Sequence, residues 1–194
     1  MMRLDILEHG YRPTTKLLFQ LVRTFTGQPL PDAARLTFYR PDFYGKRAKE
    51  FTQAAMRGPS PWSVADRELM AAYVSVVNDT AFCIGAHTAT AALAYGDEAK
   101  VRAILQDPES AAIGEPLRAT LRMLDILTRT GTVSAAQMRA VLSAGATREQ
   151  VEDALAVCAA FNITDRLADA FGFAVLSPAG FESGAKYLLK RGYR

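Results

Sequence analysis

The sequence predicts an all-α protein, a compact orthogonal bundle of seven to nine helices. Three observations carry that expectation. Apolar residues recur at helical spacing almost throughout, and no stretch sustains the alternation of a strand. Capping patterns open the stripes, and Gly or Pro closes them. The connections are short, which suits antiparallel and near-perpendicular helix pairs.

The elements follow in chain order. Thr14 or Thr15 can cap a helix carrying Leu17, Leu18, Leu21, Val22 and Phe25, and Gly27 ends it. Asp32 to Tyr39 reads as a short helix stopped before Pro41. Tyr44, Ala48, Phe51 and Ala55 form the next stripe, ending at Gly58. Gly58-Pro59-Ser60-Pro61 is the clearest break in the chain. Ser63 and Asp66 then resemble a capping box, opening a helix with Met70, Val74 and Val77. Asn78-Asp79-Thr80 marks a helix end and a fresh start, and the new helix runs to Tyr95 before Gly96. Asp97 caps a short helix to Gln106. Pro116 suits the first turn of a helix ended by Gly131. Ser134–Gln137 and Thr147–Gln150 are two more capping boxes. The second opens a long helix from about Arg148 towards Leu176, with a stop at Ser177-Pro178 and a helical tail expected from Ala185 to Arg191. One domain is expected over 1–194, with a helical arm at 1–58, a core at 59–176 and a basic tail at 177–194.

Composition narrows the function classes. Hydrophobic residues make up 49% and charged residues 22%, which excludes disorder of the whole chain. A net charge of +3 is too weak to argue for nucleic acid, so the basic clusters at Arg35–Arg57 and in the tail read as solvated helix faces. No apolar run approaches a membrane span, and Met1–Gly10 does not read as a signal peptide. Two cysteines, Cys83 and Cys158, cannot build a disulfide framework; they fit a reducing compartment, so a cytoplasmic location is expected.

The informative stretch is Thr80-Ala-Phe-Cys83-Ile-Gly-Ala-His87. Cys83 and His87 are four apart, so they share a helix face, with Thr80 one turn before. A thiol must lose its proton to act as a nucleophile. His87 can take that proton, and the first turn of a helix favours an anion at Cys83. Glu68 on the preceding helix can orient His87, giving a nucleophile, a base and an orienter. The ordinary alternative is a satisfied core pair. A zinc site would have two ligands here and Glu68 as a third, too few for a closed structural site, so no metal and no cofactor are expected. Cys158, in an apolar helix, reads as a buried small hydrophobe. Asn162, Asp165 and Arg166 read as a buried amide and an ion pair that fix packing. Trp62 reads as a packing anchor.

The order Glu68, Cys83, His87 resembles the carboxymuconolactone decarboxylase and alkylhydroperoxidase D-like family. The redox branch of that family has Glu, then Cys-x-x-Cys, then His. Glu68 falls on its Glu, Cys83 on its second Cys and His87 on its His. Ala91–Gly96, Gly145–Leu155 and Phe161–Gly172 are similar to its later helices, and the resemblance spans roughly Arg35 to Leu176. It implies an alkylhydroperoxidase D-like fold, a peroxidatic role for Cys83, proton-relay roles for His87 and Glu68, and a homo-oligomer (dimer, trimer or hexamer). One departure stands out: the first Cys of the pair is Thr80 here. Thr80 can hydrogen-bond a peroxide oxygen but cannot form a disulfide. A sulfenic acid at Cys83 would then need an external thiol or a protein reductant.

Three functions are therefore expected in competition. One is a thiol-dependent hydroperoxide reductase with a single active-site cysteine. The second is a cofactor-free lyase or decarboxylase on a small carboxylate or lactone, with His87 as general acid or base. The third is a non-catalytic oligomeric helical protein or redox sensor.

Overall fold

Helix boundaries follow local chemistry closely. The computed structural model describes residues 9–193, among which there are ten α-helices and no strand. They are α1 Pro13–Thr26, α2 Asp32–Tyr39, α3 Lys46–Arg57, α4 Val64–Val77 and α5 Ala81–Tyr95. Then come α6 Glu98–Gln106, α7 Glu115–Thr130, α8 Ala135–Ser143, α9 Arg148–Phe171 and α10 Pro178–Arg191. A single π-turn at Pro41–Gly45 joins α2 to α3. Met1–Gly10, read above for a signal peptide, lies largely outside the described residues.

All three capping boxes form. The Ser63, Ser134 and Thr147 side chains accept from the backbone of Asp66, Gln137 and Gln150, and those side chains accept in return. Each such cap contributes about 1 kcal/mol. Each of the ten corresponds to an element read from the sequence above, although the total expected there was seven to nine. Thr14 and Thr15 lie inside α1; Arg12 holds the cap position and Pro13 the first turn. The long helix stops at Gly172, which takes a left-handed conformation, rather than reaching Leu176. The tail helix starts at Pro178, capped by Ser177, not at Ala185.

Two buried apolar clusters organise the packing. The larger gathers Leu69, Met70 and Val74 of α4, Leu121 and Leu124 of α7, and Val157 and Phe161 of α9. Trp62 anchors it, its indole N–H donating to Gln150 O at 2.7 Å. The smaller holds Tyr11, Leu36, Phe82, Cys83, Ala168 and Phe173. Each fully buried large side chain contributes about 1.5–3 kcal/mol. α5 lies against α4 on one side and α10 on the other. Gly85 makes the second contact possible, since a Cβ there would collide with the Phe181 ring. The apolar stripe of α1 does not join either core: no α1 residue is buried, and Leu17, Leu21 and Phe25 stand exposed.

Candidate active site

The α4–α5 junction sets the site. Asp79, with φ 57°, closes α4. The Asp79 N–H bonds Val76 O and the Thr80 N–H bonds Ser75 O, the paired bonds of a Schellman turn. α5 starts at once, so Cys83 is its third residue and His87 lies one turn further. The capping box at Ser63 fixes the phase of α4 and turns Glu68 inward, against α5.

Glu68 has no solvent exposure and is the hub of an ionic cluster. Its Oε2 is 2.7 Å from His87 Nδ1. Its Oε1 accepts from Arg57 Nη2 at 2.6 Å and from the Tyr193 hydroxyl at 2.9 Å. Burial is the strongest influence on the Glu68 carboxyl and pushes it up. The hydrogen bonds and charges of His87 and Arg57 outweigh it and hold the group below the ordinary carboxylate range. An ionised carboxylate only accepts, so the hydrogen on Nδ1 points at Glu68 and Nε2 is the nitrogen left for proton exchange. The His87 ring packs edge-on to Phe161, centroids 4.3 Å apart.

The groups that bear on the Cys83 thiol are carboxylates rather than His87: Asp165 of α9 first, then Asp169. Burial first, then the Asp165 charge and hydrogen bond, then Asp169, push the thiol far above its ordinary value. The expected activation of the thiolate by His87 and the helix start is therefore not found in this closed arrangement: desolvation and two carboxylates outweigh the helix dipole. Asp165 is itself fully buried. It accepts from Ser75 Oγ at 2.9 Å and Asn78 Nδ2 at 2.8 Å. Burial pushes its carboxyl up, and the bonds from Asn78, Cys83 and Ser75 only partly reverse that. The expected ion pair with Arg166 is absent; Arg166 faces solvent, because i and i+1 diverge on a helix.

Thr80 occupies the N-cap position of α5 without capping it. Its hydroxyl donates instead to Asp169 Oδ2 at 2.8 Å. Beside this pair lies a cleft of about 210 Å³, lined in part by Thr80, Phe82, Asp169 and Phe173. Cys83, His87 and Glu68 do not line it. Cys158 is buried and free, like Cys83. Asn162 Nδ2 lies 3.2 Å from Cys158 Sγ, and Asn162 Oδ1 accepts from Asn78 Nδ2 at 3.2 Å. A polar chain thus runs from Asp165 through Asn78 and Asn162 to Cys158.

Structure therefore joins Glu68 to His87 directly, keeps Cys83 one turn away with Asp165, and sets Thr80 at the cleft. Sequence reasoning missed Arg57 and Tyr193 and gave Asp165 only a packing role. Asp165 left a signal, a carboxylate on an apolar helix face. Arg57 and Tyr193 left none, since they reach Glu68 across 11 and 125 residues of chain.

The helical bundle places a buried glutamate of α4 against a histidine of α5, the helix that also carries Cys83. Residues 43–125 match the carboxymuconolactone decarboxylase family model, so that segment of the chain is similar to that family. The segment contains Arg57, Glu68, Thr80, Cys83 and His87 and ends before Asp165 and Tyr193. Among solved structures, a peroxidase-related protein from Silicibacter sp. TM1040 is similar at a TM-score of 0.78 and 21% identity, over 94% of this chain and 95% of that one. An alkylhydroperoxidase AhpD core, a peroxidase-related protein from Ralstonia eutropha JMP134, gives 0.75 and 20%, over 94% and 96%. The debrominase Bmp8 in complex with 2,3,4-tribromopyrrole gives 0.70 and 14%, over 98% and 94%. A search of curated proteins gives no match. At these identities the structural likeness establishes the fold.

Proposed function

We propose that the protein is a thiol-dependent hydroperoxide reductase with Cys83 as its single peroxidatic cysteine. The observation that carries this is the buried Cys83, one helical turn from an imidazole held at 2.7 Å by the Glu68 carboxylate, with the buried Asp165 carboxylate acting on the thiol. Asp165 receives the thiol proton as Cys83 Sγ attacks the terminal oxygen of the hydroperoxide. The S–O bond forms, the O–O bond breaks, and His87 delivers a proton to the departing alkoxide. Asp165 returns its proton to the imidazole, so none is consumed. Cys83 is left as a sulfenic acid, and two external thiols reduce it, releasing water and a disulfide of the reductant. Thr80, at the cleft, hydrogen-bonds the incoming peroxide. The test is mass spectrometry after mild peroxide with a sulfenic-acid trap. A trapped adduct on Cys83 that added thiol removes supports the assignment; an unreacted Cys83 overturns it.

A second reading has its own observation. The Arg57–Glu68–His87 cluster forms without any bond to Cys83, as an acid–base lyase acting on a small carboxylate or lactone would require. Such an activity would survive Cys83→Ser, whereas peroxide reduction would not. The exposed stripe Leu17, Leu21 and Phe25 supports a homo-oligomer built through α1.

A further inference from the structure

The tail turns back into the site. Past α10, Gly192 adopts φ 69° and ψ −150°, a conformation that a side chain would strain. A Cβ there would also strike the Gln53 side chain. The turn carries Tyr193 inward. Its backbone N–H donates to Gln53 Oε1 at 2.7 Å, and its hydroxyl donates to Glu68 Oε1 at 2.9 Å. Its ring lies nearly parallel to the His87 ring, 14° apart at 6.4 Å between centroids. The Arg57 guanidinium sits over the same ring at 5.1 Å.

The ring and hydroxyl of Tyr193 face Glu68, His87 and Arg57 of the candidate catalytic cluster. Glu68 is wholly unexposed, Cys83 is 1% exposed and His87 6% exposed. In this state nothing the size of a substrate reaches them. The space occupied by the phenol is a flat slot, with a cation over one part, an imidazole beside it and a carboxylate oxygen at its end. Those groups complement a planar ring bearing one hydrogen-bond donor.

We propose that Tyr193 is an internal occupant of a ligand slot, and that the slot takes a flat ring carrying a hydroxyl or N–H donor when the tail rotates out about Gly192. The slot is defined without reference to the reaction. Its use as a substrate site rests on the thiol chemistry proposed above. Burial holds the phenol neutral, so it remains a donor to Glu68 throughout the ordinary pH range. The tail and an external ring therefore compete for the same carboxylate oxygen.

The experiment is alkylation of Cys83 by iodoacetamide in the 194-residue protein, with Cys158 as the internal reference. Tyr193→Ala is expected to raise the Cys83 rate at least tenfold and leave Cys158 unchanged. Adding p-cresol, the free counterpart of the missing side chain, should restore protection saturably, while toluene at the same concentration should not. Tyr193→Phe and Gln53→Ala each remove one anchor of the tail and should raise the Cys83 rate severalfold; they carry the test if Tyr193→Ala does not fold. Equal protection by toluene and p-cresol, or no change in Cys83 in the variants that fold, overturns the proposal. A parallel rise at both cysteines also overturns it, because that marks general loosening. Altered alkylation without any peroxide turnover would sink the reductase assignment and leave the slot standing.

Discussion

Glu68 Oε2 and His87 Nδ1 lie 2.7 Å apart in a setting where neither has appreciable access to water. The charge of Glu68 is tolerated there only because His87, Arg57 and Tyr193 all face it. Removing Glu68 leaves the Arg57 guanidinium in a poorly solvated place with only the Met56 and Leu188 carbonyls.

Glu68→Gln should therefore lower stability at pH 7 by about 3 kcal/mol. The pH dependence has a definite sign. Glu68 titrates lower in the folded state than in the unfolded chain, where its value is about 4.3. Its contribution is present above that value and is lost as pH falls through the lower, folded one. Urea melts should show a gap between wild type and Glu68→Gln at pH 7 that narrows steadily below pH 4. A gap constant over that range would refute the assignment.

Cys83→Ser should abolish peroxide consumption in the presence of excess dithiol, and Cys158→Ser should leave it nearly intact. Thr80→Cys places a second thiol three residues before Cys83, where Cα spacing of about 5–6 Å suits a disulfide. That variant should form the disulfide on peroxide treatment, read as a loss of two free-thiol masses. Absence of turnover in wild type with its appearance in Thr80→Cys would favour a scaffold that has lost its resolving step.

Asp165→Asn keeps the shape and the bond from Asn78 but removes the proton acceptor of the Cys83 thiol. Turnover should fall about a hundredfold, the low end of the usual range for losing a positioned base. Circular dichroism and the melting temperature should show the fold retained. Unchanged turnover would remove Asp165 from the mechanism.

Asp79 is exposed and sits in the left-handed region, where glycine is at ease and other residues are strained. Asp79→Gly should stabilise the α4–α5 turn by about 0.5–1 kcal/mol after the entropy of the unfolded glycine is counted. The melting temperature should rise by about 2–3 °C. A fall would mean that the Asp side chain contributes to the turn.

Phe25→Glu, at a position 84% exposed on α1, should leave the protomer folded but lower the mass measured by light scattering after size exclusion. A monomeric wild type would refute the α1 interface at once.

Much of the helix pattern was legible because caps act locally: Ser63 with Asp66, Ser134 with Gln137 and Thr147 with Gln150 each decide a boundary within three residues. The same locality made the Cys83–His87 turn readable, and Glu68 followed from the inward phase of α4. What helical periodicity cannot supply is partner identity across the fold. It says that Asp165 faces inward, not that it meets Ser75 and Cys83 90 and 82 residues away. It gave no hint that Tyr193 would be drawn beneath Arg57. It also overstated α1, whose apolar stripe promised burial and found none in the single chain. The thiol shows the same limit: the helix start argued for an anion, and two carboxylates from α9 argue against it.

The missing Cβ at Gly85 makes α10 a measuring rod. Phe181 seats against α5 at that one place, and ten residues later, about 15 Å along the helix axis, Arg191 delivers the chain to its final turn. The length between these two marks decides where the terminal ring falls. One residue inserted into α10 would advance the end by about 1.5 Å and swing it through about 100°, away from Glu68 altogether. Point changes on the solvent side of α10 would leave that distance untouched. The solvent side of the helix can thus vary in side chains while its residue count between positions 181 and 191 stays fixed.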